Sequence, residues 1–147
     1  METEKNIKFK IVTPEKVIYE DEVFQVTLPT TDGEITALSS HIPLVSVLKA
    51  GEMKIKDKDG EHVMALAGGF LEIKENNEMV VLADNAERAD EIDLERAEKA
   101  RIRAQEQLEQ AREQEDIDFA KLQAIMDREM NRLKVGKKYK KLAPPKN

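Results

Sequence analysis

Ile7-Lys8-Phe9-Lys10-Ile11 alternates apolar and cationic side chains one by one. Successive side chains of a strand point to opposite faces, so this period puts Ile7, Phe9 and Ile11 on a core and both lysines in water. The pattern returns in Phe24, Val26 and Leu28 against Gln25 and Thr27, and in Met53 and Ile55 against Lys54 and Lys56. Turn formers separate the runs: Thr13-Pro14, Asp32-Gly33, Ala50-Gly51, Asp59-Gly60, Gly68-Gly69 and Asn76-Asn77. They recur every 8–20 residues across 7–84, with no helical stretch between them. That spacing predicts an antiparallel sandwich or flattened barrel of about eight to ten strands. A parallel sheet would need crossover helices, for which there is no room.

After Ala86 the period changes. Leu94, Ala97, Ala104, Leu108 and Ala111 form one stripe at helical spacing within 93–113; Phe119, Leu122, Ile125, Met126, Met130 and Leu133 form another within 118–134. Asp93 and Asp118 stand where a helix starts and an acid favours the dipole. Gln114-Glu115-Asp116 is a short polar break, so the two helices are expected to lie antiparallel as a hairpin. The fold class is α+β: a β-sandwich domain over 1–86, a helical hairpin over 87–134, and a Lys-rich flexible tail over 135–147. The first helix is mostly alanine and charge, so its seam buries little apolar area. Periodicity alone leaves open whether the hairpin is a moving part or a rigid staple.

Composition narrows the function. Of 147 residues 40% are hydrophobic, too many for disorder, and 37% are charged, many for a compact globule. The lack of Cys excludes disulfides and thiolate metal sites, and His41 and His62 are too far apart for a local His motif. No stretch approaches a membrane span, and the acidic start Met1-Glu2-Thr3-Glu4 does not read as a secretion signal. The expectation is a cytosolic or peripheral protein. Residues 1–86 hold 9 Lys and Arg against 16 Asp and Glu, which argues against nucleic acid as a partner. The last 14 residues carry six Lys and no acid, read as a solvated terminus.

Several short stretches, taken in order, carry a resemblance. They are Ile11-Val12-Thr13-Pro14, Gly33-Glu34-Ile35, His41-Ile42-Pro43-Leu44-Val45, Leu48-Lys49-Ala50-Gly51, Gly68-Gly69-Phe70-Leu71-Glu72-Ile73 and Val81-Leu82-Ala83-Asp84-Asn85-Ala86-Glu87-Arg88-Ala89. With the hairpin that follows, the chain resembles the epsilon subunits of bacterial F-type rotary ATP synthases over 7–134. It departs from them near Thr30, at Thr36 and at Ser39-Ser40, where that family usually has glycine or Pro-Gly. The resemblance implies a β-sandwich of about ten strands against the gamma subunit and the c-ring. It also implies a hairpin that inhibits ATP hydrolysis by extending toward the alpha and beta subunits. It further implies a non-catalytic, peripheral subunit on the cytoplasmic face of the cell membrane that meets the membrane only through the complex.

No catalytic constellation is present: no nucleophile stands beside a base, and no phosphate loop of the GxxxxGK[ST] kind occurs. Gly68-Gly69 reads as a tight turn at a strand start, His41 as a loop residue and His62 as a surface strand residue. Ile92-Asp93-Leu94-Glu95-Arg96-Ala97 matches the Ile-Asp-x-x-Arg-Ala motif of ATP-binding, Bacillus-like members. Asp93, Arg96, Ala97, Ala100 and Arg103 share a helix face, as do Arg128 and Arg132. Folding the hairpin would gather the four arginines, whose forked donors match a triphosphate. The resemblance thus implies ATP as a regulatory ligand on Glu87, Asp93, Arg96, Ala97, Arg103, Arg128 and Arg132. Ordinary salt bridges, Glu95 with Lys99 and Asp127 with a neighbouring arginine, would employ the same residue types. The motif match favours ATP.

A free-standing β-sandwich adaptor with a helical docking hairpin is the alternative. A cupin-type enzyme would need clustered His ligands that the sequence lacks. Because the strands carry their own core, a chain ending at Ala89 should be soluble and melt cooperatively. An unfolded product in a thermal scan would dissolve the two-domain division.

Overall fold

The computed structural model describes residues 6–111 and 118–140. Eight strands come first: β1 (Ile7–Val12), β2 (Val17–Val23), β3 (Gln25–Thr30), β4 (Gly33–Leu38), β5 (Leu44–Asp57), β6 (Gly60–Ile73), β7 (Glu78–Ala83) and β8 (Ala86–Arg88). Two helices follow, α1 (Leu94–Ala111) and α2 (Phe119–Lys140). The chain divides into two compact units between Arg88 and Ala89. The expected turn at Gln114-Glu115-Asp116 lies outside the described residues.

The strand order is β2-β1-β7-β6-β5-β3-β4, with β8 also on β6. Two expected turns are absent. Ala50-Gly51 lies inside β5 and Gly68-Gly69 inside β6, so β5 and β6 are 14 residues each and pair along their length. Gly68 and Gly69 have φ of 114° and 142°, a backbone that side chains rarely adopt. A Cβ at Gly69 would sit 2.1 Å from the Leu82 carbonyl oxygen. At this point β6 changes partners, from β8 along Met64–Leu66 to β7 along Gly69–Ile73. The sheet turns back on itself there. Dividing each long strand in two gives ten segments, five to a layer.

Ile7, Phe9, Ile11, Val26, Leu28, Met53 and Ile55 are all buried in one core, as their alternation requires. Phe24 is not; it falls between β2 and β3 and is exposed. The all-antiparallel expectation also fails at one place, because β1 pairs parallel with β7. The five strands between them replace the crossover helix that a parallel neighbour demands. Ser40 takes φ 64°, the conformation usually left to glycine, and Asn77 Oδ1 accepts its N–H at 2.6 Å. The departure from the family's glycine at this turn therefore keeps the glycine-like backbone.

A buried polar cluster ties the layers together. The Tyr19 hydroxyl on β2 donates to Asp57 Oδ2 at 2.8 Å, and His62 Nε2 on β6 lies 2.9 Å from the same oxygen. Arg88 Nη2 approaches His62 Nδ1 at 3.4 Å. A guanidinium only donates, so Nδ1 accepts and the ring proton on Nε2 faces Asp57. His62 is thus a half-buried link and not the surface strand residue expected. Burial pushes the Asp57 carboxyl upward, but hydrogen bonds from Tyr19, the Asp59 N–H and His62 outweigh it and hold it below the usual carboxylate range. Burial, then the hydrogen bond and charge of Asp57, push the Tyr19 hydroxyl up.

A carboxyl whose folded pKa is lowered adds stability above its unfolded value, about 3.9 for Asp, and loses it as pH falls through the folded value. Asp57→Asn should therefore lower the melting temperature of the β-sandwich at pH 7. The gap to wild type should narrow below about pH 4, as thermal scans across that range will show.

Candidate functional site

The hairpin is built from its caps inward. Asp93 Oδ1 accepts the Arg96 N–H at 3.1 Å and Asp118 Oδ1 accepts the Lys121 N–H at 3.1 Å. Each acid satisfies a donor that the first turn leaves orphaned. Ala97, Ala104 and Ala111, seven residues apart, are the buried residues of α1. Seven residues are nearly two turns, so they form one stripe. At about 0.8 kcal/mol per buried methyl-sized group, the three contribute on the order of 2 kcal/mol.

On α2 the seam differs from the expected stripe. Met130 is 52% exposed and Phe119 47% exposed, whereas Glu129 is only 1% exposed. Glu129 binds both neighbouring arginines. Oε1 accepts from Arg128 Nε at 3.2 Å and lies 3.1 Å from Arg128 Nη2; Oε2 accepts from Arg132 Nη1 at 2.8 Å. A buried carboxylate is tolerated only when paired in this way. Leu133, Val135 and Gly136 are also buried. A Cβ at Gly136 would meet Leu94 Cδ2 at 2.7 Å and Ile92 Cγ2 at 3.1 Å. This close approach explains why α2 runs to Lys140, past the tail boundary expected at 135.

The expected site residues fall in three groups. Arg128 and Arg132 converge on one anion position. Arg96 and Arg103 are exposed on α1, one residue before Ala97 and Ala104, so they flank the seam. Ala97, expected to leave a gap beside them, is fully buried, and Ala100 is half-buried. Glu87 is half-buried on β8, opposite Ala65, in the other unit. As for the simple salt-bridge alternative, Lys99 pairs with Glu95 at 3.2 Å with both largely exposed, an arrangement worth little. Asp127 accepts from Gln123 Nε2 at 2.9 Å, and the arginines choose Glu129. The donor set suits a polyphosphate: two forked cations face one position that already holds an anion.

The sandwich carries a second surface. Registers place Val47, Phe70, Leu82, Val12 and Val17 in one row across β5, β6, β7, β1 and β2. Phe70 is 55% and Leu82 52% exposed, and Val17 and Val47 are nearly as open. Val45, two residues along β5, is more exposed still. A contiguous apolar row on an outward face marks an interaction surface. Among the described residues no group of His, Asp and Glu could hold a metal, and no helix is long and apolar enough to cross a membrane.

Both units match models of one family. Residues 6–89 match the beta-sandwich domain of the ATP synthase delta/epsilon chain, and residues 90–137 match its long alpha-helix domain. The chain belongs to the ATP synthase delta/epsilon chain family. Among curated members of this family, the ATP synthase epsilon chain of Desulforamulus reducens is 40% identical over 132 residues, covering 90% of this chain and 98% of that one. That of Halalkalibacterium halodurans is 39% identical over 126 residues, 86% and 93% of the two chains. A solved chain from the Euglena gracilis mitochondrial ATP synthase, OSCP/F1/c-ring, shares the fold at TM-score 0.66 and 21% identity, covering 87% of this chain and 78% of its own. One from the Tetrahymena thermophila mitochondrial ATP synthase, central stalk and c-ring, does so at 0.59 and 15%, covering 92% and 97%.

Glu129 escaped the sequence reading because an acid between two arginines reads as a solvated face. A weak signal was present: Leu122, Glu129 and Gly136 repeat every seven residues, in step with the alanines of α1. Gly136 sets the approach of the helices, so Gly136→Leu should destabilise the hairpin by about 1–3 kcal/mol. Gly136→Ala should cost less than Gly136→Leu, since the end of Leu94 can swing aside and alanine favours the helix, while the buried Ile92 must still give. Hydrogen exchange of α2 amides measures both, with the melting temperature of the sandwich unchanged.

Proposed function

We propose that the chain is a non-catalytic rotor subunit in the central stalk of a proton-translocating ATP synthase, and that its hairpin is an ATP-sensitive brake on ATP hydrolysis. It sits peripherally at the cytoplasmic face of a bacterial cell membrane and reaches the membrane only through the complex. The sandwich meets the gamma subunit and the c-ring, for which the exposed Val47-Phe70-Leu82 row is a suitable surface. The hairpin, when extended, meets the alpha and beta subunits. The observation that carries the regulatory part is the seam: α1 brings only three alanines to it, and α2 buries Leu133, Val135 and Gly136. So little apolar area is a weak clasp. The match to epsilon chains over 86–90% of this chain supports the rotor part.

ATP belongs to the compact state, where Arg128 and Arg132 share one anion position and Arg96 and Arg103 flank the seam of α1. A ligand moves such a balance only by its difference in affinity between the two states. At a hundredfold excess over its dissociation constant it adds about 2.7 kcal/mol, comparable with the alanine seam itself. Plentiful ATP therefore keeps the brake folded, and scarce ATP frees it to stop wasteful hydrolysis.

Arg103→Ala and Arg128→Ala should each weaken ATP binding by about 1.5–3 kcal/mol, the scale of a charged hydrogen bond. Calorimetric titration of the full chain measures this directly. The absence of binding by wild type at millimolar ATP would remove ATP from the mechanism, and equal binding by all three would remove these arginines from its site; either leaves the rotor reading intact.

A further inference from the structure

Glu129 is the buried charge that the proposed mechanism leaves without a role. It lies on the same helix as the two arginines assigned to the triphosphate, and it binds both. Three and one residues away, Arg132 and Arg128 close on its two oxygens from opposite sides along the helix. The carboxylate is thereby neutralised inside the seam, which is the only condition under which its burial is tolerable. A polyphosphate seeks the same forked donors. It cannot take both arginines in full while the carboxylate keeps them. Its own charge also meets an anion at contact range, in a setting where solvent screens poorly.

We propose that Glu129 is an internal competitor for the nucleotide: a built-in anion that occupies Arg128 and Arg132 until the phosphates displace it. This rests on the ATP reading of those arginines. On that footing Glu129 sets the concentration at which the site fills. The device has a second use. While no nucleotide is bound, Arg128 and Arg132 are not left as two unneutralised cations four residues apart, a like-charge pair that would itself strain α2. The helix therefore stays intact in both ligand states, and the nucleotide is read against a fixed internal reference. Asp127, next to Arg128 in sequence, does not fill this part, because its carboxylate is exposed and accepts from Gln123.

The test is titration of the full chain with ATP and, separately, with inorganic tripolyphosphate. Glu129→Gln keeps the shape and one acceptor oxygen while removing the charge. It should bind both ligands at least tenfold more tightly than wild type. Asp127→Asn, which removes one charge from the exposed face of α2, should leave both affinities within about twofold. Equal tightening by the two variants would make the effect one of net charge and overturn the proposal. So would tightening toward ATP alone, because the carboxylate competes with phosphate and not with adenosine. Wild type that binds ATP while Glu129→Gln binds no better removes the competitor and keeps the ATP site; no binding by either chain removes both.

Should Glu129→Gln fail to fold, wild type alone still decides. The Nε–H resonances of Arg128 and Arg132 and the carboxyl resonance of Glu129 should move together as ligand is added. A carboxyl resonance unmoved at saturation overturns the proposal.

Discussion

Gly68 and Gly69 hold the backbone conformation around which the sandwich is arranged. Their φ angles turn β6 where it passes from β8 to β7, and the Leu82 carbonyl oxygen fills the space a side chain would need. Because β5 pairs with β6 along its length, both strands change layers together. Every other strand joins this bent pair directly or through its neighbours: β3, β7 and β8 on it, β1 through β7, β2 through β1 and β7, β4 through β3. A side chain at Gly69 would separate β7 from β6 and take β1 and β2 with it. The single core then follows, since both halves of the sheet face the same interior.

The two units are held by different physics. Inside the sandwich large side chains such as Phe9, Leu28, Met53 and Leu71 are fully buried, and the one buried carboxylate among its described residues, Asp57, is fixed by three donors. Burial of this kind contributes about 1.5–3 kcal/mol per large side chain. The hairpin buries fewer large side chains, Ile92, Leu133 and Val135 among them, and otherwise relies on alanine, glycine and a paired charge. Alanine and glycine allow close approach but contribute little area, and a buried ion pair barely offsets its own desolvation. A stable platform joined to a weakly clasped hairpin suits the regulated rotor subunit proposed above. The clasp must yield to energies that leave the platform intact.

The legible part of the candidate site was its cations. Arg96, Arg103, Arg128 and Arg132 are identified by residue type and helical spacing, and Asp93 by its place at a helix start. What could not be read was where each points. Ala97 shares a face with Arg96 by arithmetic, yet one residue is buried and the other exposed, because the partner helix covers only part of that face. Asp93 shows a capping hydrogen bond, which its position at the helix start also foretold. Glu129 and Met130 were exchanged, the acid going in and the thioether out. Only the alanine stripe opposite, and the two arginines that neutralise the acid, make that choice favourable.

By itself the sequence determined the two periods, the change between them near Ala86, the helix starts at Asp93 and Asp118, and which strand residues face a core. These follow from local geometry, because a strand alternates and a helix repeats whatever it packs against. The tertiary structure alone decided what lies next to what. It set Gly68-Gly69 inside a strand and not in a turn, paired β1 parallel with β7, drew His62 and Tyr19 onto Asp57, and carried α2 to Lys140 against Ile92 and Leu94. Each of these depends on residues far apart in the chain, whose contact energies no local pattern contains.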